Sequence, residues 1–551
     1  MKRYVIGVDF GTLSGRCVLV DCADGREIAE AVSVYTHAVM DDCLPSGKKL
    51  PPLFALQHPE DYLQVLRTTV REVLEMAQVD PAQVVGVGID FTSCTVLPVG
   101  KDGVPLCMTS AFADEPHAYV KLWKHHAAQP EADELNALAA ERKEPWLEAY
   151  GGRVSSEWAL PKILETLRNA PEVYAETARF MEAADWIVST LIGEERYSRP
   201  FAGYKALFHN TSYPSNDFMV ALDEGLDGIV GTKLSERIAE IASPAGKLCV
   251  AGAELTGLKE GTVIAVPQID AHAAMPALQI TEAGELMLIM GTSACHIVNA
   301  NEAVDVSGIC GYVRDGVIPG LVTYEAGQAA VGDIFDWFVK NCVPAQYQSE
   351  ANERDISLHN LLTEKAEKLS VGQTGLVALD WFNGNRSVLD DSQLSGMLLG
   401  LTLGTKPEHI YRALLEATAF GTKKIVDALP FPIHTIKVAG GIANKNPLLM
   451  QIYADVLGKQ IGVCQSTQAA ALGSAIYAAT AAGVYPDIAS AAKAMGTPVT
   501  KFYHPSQSEH QAYELLYEEY VALHDYFGRG GNDVMKRLLS QQHEEWIGGT
   551  V

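Results

Sequence analysis

Two Gly-Thr turns in opposite halves of the chain carry the clearest chemical potential. Asp9-Phe10-Gly11-Thr12-Leu13-Ser14-Gly15-Arg16 follows the apolar run Tyr4 to Val8 and leads into Cys17-Val18-Leu19-Val20. Gly291-Thr292-Ser293 follows Glu285 to Met290 and leads into a second apolar run ending at Asn299. Small residues let backbone N–H groups close on phosphate oxygens. The first copy adds an acid, Asp9, at the strand end, where a carboxylate suits Mg²⁺ or its bound water. An ordinary hairpin uses the same Asp and Gly as turn formers, so neither turn is decisive alone. Together they predict two related lobes that present their turns to one phosphate chain, and so a nucleotide-dependent phosphotransferase.

Two further segments fit that chemistry. Asp270 follows the apolar run Val263-Ile264-Ala265-Val266-Pro267 and precedes the second turn. A carboxylate there can take the proton of a substrate hydroxyl as it attacks the γ-phosphorus, although an isolated Asp at a strand end is more often a helix cap. Gly440-Gly441-Ile442-Ala443-Asn444 lies where a strand turns into a helix starting near Pro447. Bare backbone there can admit adenine or ribose, or it can be a simple connection. Neither GxGxxG nor GxxxxGK[ST] occurs, so a Rossmann fingerprint and a P-loop are both unsupported. His125-His126 and His272 read as satisfied or surface histidines rather than metal ligands.

The elements that must position these residues follow from periodicity. Val5 to Val8, Arg16 to Asp21 and Ala31 to Tyr35 form a meander, with Asp24-Gly25 as a turn. His58-Pro59-Glu60-Asp61 opens a helix whose buried face is Tyr62, Val65, Leu66, Val70, Val73 and Leu74. Val84 to Asp90 is another buried strand that ends on an acid. Residues 110–250 read as a largely helical insertion that builds a substrate pocket. A lobe boundary is placed at Lys259-Glu260-Gly261. Beyond it come a helix over His409 to Ala428 and a strand over Thr435 to Ala439. The tail after Phe527 reads as one peripheral helix.

Composition bounds the function. The 551 residues exceed one core, so two domains are expected. A net charge of −26 repels nucleic acid and anionic lipid. Ten singly scattered cysteines without zinc spacing read as reduced cytoplasmic thiols. The Ala- and Gly-rich run Ala469 to Val484 is too short and weakly apolar for a membrane span and reads as a tightly packed buried helix.

The motifs Gly7-Val8-Asp9-Phe10-Gly11-Thr12, Gln268-Ile269-Asp270-Ala271, Gly291-Thr292-Ser293, Gly396-Met397-Leu398-Leu399-Gly400-Leu401 and Ala439-Gly440-Gly441-Ile442-Ala443 occur in this order. In them the chain resembles the FGGY family of carbohydrate kinases, within the actin-like superfamily. The substrate-side stretches Gln57 to Tyr62, Gly88 to Thr95, Tyr150 to Gly152, Ser155 to Trp158, Gly203 to Ala206, Tyr324 to Gln328 and Asp380 to Arg386 are similar to family members that phosphorylate ribulose in L-arabinose catabolism. The resemblance implies an α/β fold of two ribonuclease-H-like lobes with a cleft between them. Residues 1–260 would be the sugar-binding lobe with its helical insertion, and 261–551 the ATP-binding lobe.

The resemblance also implies ATP and Mg²⁺ as cofactors, a small sugar substrate and a homodimer. By position, Asp270 is the general base and touches the sugar, and Asp9 sits at the metal. Gly11, Thr12, Ser14 and Arg16, with Gly291 and Thr292, lie along the phosphates. Gly440, Gly441 and Asn444 line the adenosine pocket, where this chain has two glycines and relatives often carry a longer run. Trp123, Lys205 and Glu325 match sugar-binding positions. Read as residues alone, Trp123 is equally a helix residue at the core edge, and Lys205 a solvated charge. Glu325 among small and apolar neighbours needs a buried partner. The competing readings are another FGGY polyol or ketose kinase, such as a xylulokinase, and a non-enzymatic ATP-binding switch.

Overall fold

The computed structural model describes residues 2–465 and 468–548. Two twisted sheets repeat one plan. In the first, Glu27–Val34, Ser14–Asp21, Tyr4–Phe10, Val84–Phe91, Val263–Ala265 and Pro244–Lys247 lie side by side. In the second the order is Gly311–Arg314, Val322–Gln328, Ala294–Ala300, Glu285–Met290, Thr435–Ala439, Ile461–Cys464 and Val499–Tyr503. Each plan pairs a central strand antiparallel with its hairpin partner and parallel with a later strand on its other side. The parallel strands are short apolar runs buried on both faces, as crossover helices require. The two hairpins read from the sequence are the central pairs of the two sheets, so their turns are equivalent by topology.

The first sheet takes more of the chain than residues 1–260. Val263–Ala265 and Gln268–Ile269 both pair in parallel with Val84–Phe91, and they lie beyond the expected boundary at Lys259 to Gly261. The helix Ala469–Ala481 also packs on this sheet. Its fit requires glycines on the strands, because a Cβ on Gly7 or Gly88 would collide with the Ala471 or Ser474 carbonyl. On its other side Gly473 admits the Ala273 carbonyl of the helix Asp270–Ala277 in the same way. The Ala- and Gly-rich run is thus a helix wedged between a sheet and the helix that bears Asp270. Among the described residues no helix is long and apolar enough to cross a membrane.

The helix Pro59–Ala77 starts where His58 and Pro59 predict, and the His58 ring accepts the Glu60 N–H at 3.2 Å. Residues 110–250 are mainly helical, with Gln129–Arg142, Ala159–Asn169 and Ala183–Ile192 the longest helices. Their strands Val120–Lys121 and Arg179–Glu182 join the earlier Leu56–Gln57 and Val96–Val99 in a small sheet absent from the periodicity. Its strands are two to four residues long, too short for alternation to register. At the end of the chain the helices are Gln507–Gly528 and Val534–Gly548.

Candidate active site

Each turn is closed by the N–H of its glycine. The Gly11 N–H donates to the Ser14 carbonyl at 3.0 Å, and the Gly291 N–H to the Ser293 carbonyl at 2.9 Å. Neighbouring elements then fix each loop through its carbonyls. Gln57 Nε2 and the Tyr35 hydroxyl donate to the carbonyls of Thr12 and Gly11 at 2.8 and 2.9 Å. Val331 N–H and Gly332 N–H donate to those of Thr292 and Gly291 at 2.7 and 3.1 Å. Ser14 opens the strand that carries Arg16, and the register sets Arg16 directly opposite Asp9.

The first turn holds a pair of acids. Parallel pairing aligns Asp9 with Asp90, and Ser474 Oγ donates to Asp90 Oδ2 at 2.6 Å. Burial pushes the Asp90 carboxyl well above the ordinary range, and the Asp9 charge pushes it further. Burial also raises Asp9, against the hydrogen bond with Asp90 and the Arg16 charge. Two close carboxylates resist joint ionisation, so the pair invites a cation. Asp90 was visible in the sequence only as a second acid-terminated strand, and register alone brings it to Asp9.

Asp270 is the first residue of its helix and accepts the Ala271 N–H at 2.6 Å. Burial, with the Asp9 charge behind it, raises its carboxyl to about 7, where a general base is most effective. Glu325 lies on Val322–Gln328 of the second sheet and gathers three basic side chains. Lys205 Nζ is 3.0 Å from Oε2, His272 Nε2 3.6 Å from Oε2, and Arg386 Nη2 3.3 Å from Oε1. Burial alone would raise Glu325, but Lys205, His272 and Arg386 hold it well below the usual carboxylate range. Burial likewise opposes the charge on Lys205, and Glu325 reverses that and raises it. Lys205 is a buried helix-end residue, not a solvated charge, and it lies 5.6 Å from the Trp158 ring.

Trp123 is in a turn after Val120–Lys121, not in a helix, and is 36% exposed. Its Nε1 donates to Thr12 Oγ1 at 3.2 Å, so an expected sugar residue touches the phosphate turn. The turn is clamped from beneath by groups that neither motif nor periodicity singles out. Glu165 binds Lys121 Nζ at 2.6 Å and His125 Nε2 at 2.9 Å, and Lys162 Nζ donates to the Leu122 carbonyl at 2.9 Å. Although burial pushes Glu165 up, Lys121 and His125 hold it well below the usual range. His125 is a satisfied core histidine.

A cleft of about 570 Å³ opens beside the second turn. Gly291, Thr292, Asp333, Tyr411, Gly441 and Lys445 are among its lining residues. Gly440, at φ 114°, abuts the Met290 carbonyl, so a Cβ there would collide, while a Cβ on Gly441 would meet nothing. Asn444 donates to the Gly440 carbonyl at 3.2 Å, fixing the turn, and Lys445 and Asn446 line the cleft beside it. The volume fits a nucleoside-sized ligand.

Residues 286–482 match the C-terminal domain of the FGGY family of carbohydrate kinases. The chain is 50% identical to a ribulokinase of Shouchella clausii over all of both chains. It is 51% identical to a ribulokinase of Halalkalibacterium halodurans over 97% of each. The fold is similar to that of a xylulose kinase from Rhodospirillum rubrum, with a TM-score of 0.79 and 24% identity over 95% of this chain and 98% of that one.

Proposed function

Because the chain belongs to the ribulokinase family of FGGY carbohydrate kinases, we propose that it transfers the γ-phosphoryl group of ATP to the terminal hydroxyl of ribulose. The observation that carries this reading is the buried Lys205–Glu325 pair. It sets a fixed donor and acceptor whose charges both act on the Asp270 carboxyl, and Trp123 meets the first phosphate turn at Thr12. A polyol needs such fixed donors and acceptors and an aromatic face. An ATP-driven switch without a small acceptor has no use for them.

In this reading nucleotide occupies the cleft of Gly291, Thr292 and Gly441, with Gly440 and Asn444 holding the turn. Its phosphates run toward Gly11, Thr12, Ser14 and Arg16. Residues 1–260 bring Trp123 and Lys205 to the sugar pocket, while 261–551 bring Asp270 and Glu325 and hold the nucleotide. The acids at Asp9 and Asp90 fit Mg²⁺, which takes one or two carboxylates plus substrate phosphate. When bound, the ion neutralises charge on the phosphates. The chain's own residues orient the hydroxyl through Lys205 and Glu325 and accept its proton at the Asp270 carboxylate. Positioning of this kind is the main catalytic work in phosphoryl transfer. Ten unpaired cysteines support a reducing compartment, the cytoplasm. The family resemblance supports a homodimer.

The test is coupled ADP release with Mg·ATP across L-ribulose, D-ribulose, D-xylulose, L-rhamnulose and glycerol. The ribuloses should be preferred by kcat/KM. Preference for another polyol would discard the roles of Trp123, Lys205 and Glu325. No stimulation by any of the five would favour the switch.

A further inference from the structure

Arg386 is the third basic side chain on Glu325 and lies against the strand that pairs beside the second turn. Its loop is fixed by the paired hydrogen bonds of Asn385 and Asp391, at 2.9 and 2.8 Å, and by Ser387 Oγ, which accepts the Gly327 N–H at 3.2 Å. The side chain lies along Gly327, where a Cβ would come within 3.3 Å of Arg386 Cδ. The sheet register gives that placement its meaning. Glu325 pairs with Ile297, Gly327 with Cys295 and Gln328 with Ala294, which directly follows the turn Gly291-Thr292-Ser293. Arg386 therefore lies along the strand from Gly327 to Glu325, with its Cδ at Gly327, the end nearer the second turn, and its Nη2 at Glu325. Its side chain is 40% exposed, and among the described residues its hydrogen-bond partner is Glu325 Oε1, through Nη2. Nη1 and Nε keep donors free.

We propose that Arg386 binds the phosphoryl group as it passes from nucleotide to sugar, anchored by Glu325 on one side and donating to equatorial phosphoryl oxygens on the other. The inference rests on the kinase reading above. In the step it serves, a bond forms between the sugar oxygen and the phosphorus. The bond from phosphorus to the bridging oxygen breaks, its electron pair leaves on ADP, and the hydroxyl proton passes to Asp270. A guanidinium matches such an anion with paired donors. A cation there acts where charge develops rather than on the ground-state sugar.

The experiment compares wild type with Arg386→Gln and Arg386→Lys on the preferred sugar. Calorimetry of ADP, alone and with aluminium fluoride plus sugar, completes it. Arg386→Gln should lower kcat by about 10²–10³-fold, with KM for the sugar and affinity for ADP within about threefold. The fluoride-dependent gain in ADP affinity should disappear. Arg386→Lys should recover part of kcat, because it restores the charge without the fork. Lys205 and His272 still pair Glu325 in both variants, which keeps both compatible with folding. A raised sugar KM at unchanged kcat would overturn the proposal and leave Arg386 as a group that merely orients Glu325. An intact fluoride effect in Arg386→Gln would overturn it as well. If the wild type prefers another polyol, the substrate assignment falls while the Arg386 comparison still decides on that substrate. If no polyol is phosphorylated, both fall.

Discussion

Lys205 Nζ and Glu325 Oε2 are 3.0 Å apart although one ends a helix of the insertion and the other lies mid-strand in the second sheet. The pair ties the insertion to the second sheet at the proposed sugar pocket. Tyr204, next to Lys205, adds a second tie by donating to the Thr323 carbonyl at 2.8 Å. In the proposed function, sugar binding and the packing of the insertion on the second sheet therefore depend on the same few atoms.

Lys205→Met should reveal both roles. Removing one member of a buried ion pair costs about 3 kcal/mol, and His272 and Arg386 offset part of this for Glu325. Thermal unfolding should fall by several degrees, and KM for the sugar should rise at least tenfold. Nucleotide affinity, measured by ADP calorimetry, should stay near wild type. An unchanged sugar KM would remove Lys205 from the pocket.

Asp270→Asn should keep the fold and nucleotide binding and lose about 10²–10⁴ in kcat. In the wild type the base works ionised, so kcat should rise with pH through about 7 and level off above. A flat profile between pH 5.5 and 8.5 would contradict the assignment.

The same carboxyl makes a stability prediction with a definite sign. Its folded value is raised from 3.8 to about 7, so the folded state binds the proton more tightly. Its contribution is favourable below pH 4 and is lost as pH rises to 7. Asp270→Asn should therefore unfold at a higher temperature than wild type at pH 8, and the gap should close toward pH 4. A lower melting temperature at pH 8 would show that burial is not what raises this group.

The clamp beneath Trp123 separates packing from chemistry. Trp123→Ala removes a partly exposed ring and should change stability by about 1 kcal/mol or less, while raising the sugar KM about tenfold. Glu165→Ala leaves Lys121 buried without its counter-charge, at a cost of about 3–5 kcal/mol. It should raise the sugar KM as well, because the Trp123 turn loses its anchor. Denaturant titration and initial rates on the two variants distinguish the roles.

The adjacent glycines make a paired test of the nucleotide cleft. A Cβ on Gly441 meets nothing, so Gly441→Val should fold normally and weaken ADP binding by tenfold or more. Gly440→Ala meets the Met290 carbonyl at a φ of 114° and should destabilise the fold. Equal nucleotide affinity in Gly441→Val would place the adenosine elsewhere.

Local chemistry was legible in the chain itself. The two Gly-Thr turns, the acid-ended strands, the helix start at Pro59 and the strand Thr435–Ala439 rest on turn residues and periodicity, which act over a few neighbours. The small sheet around Val120–Lys121 was not legible, because strands so short leave no period. The clamp of Glu165 on the Trp123 turn, the Asp9–Asp90 alignment and the gathering of Lys205, His272 and Arg386 on Glu325 were decided by tertiary structure alone. Each depends on strand register or on helix packing between distant segments. A one-residue slip would turn those side chains to the opposite face of the sheet. Residue type thus determined which chemistry was available, and long-range packing decided which groups share a site and what charge each carries there.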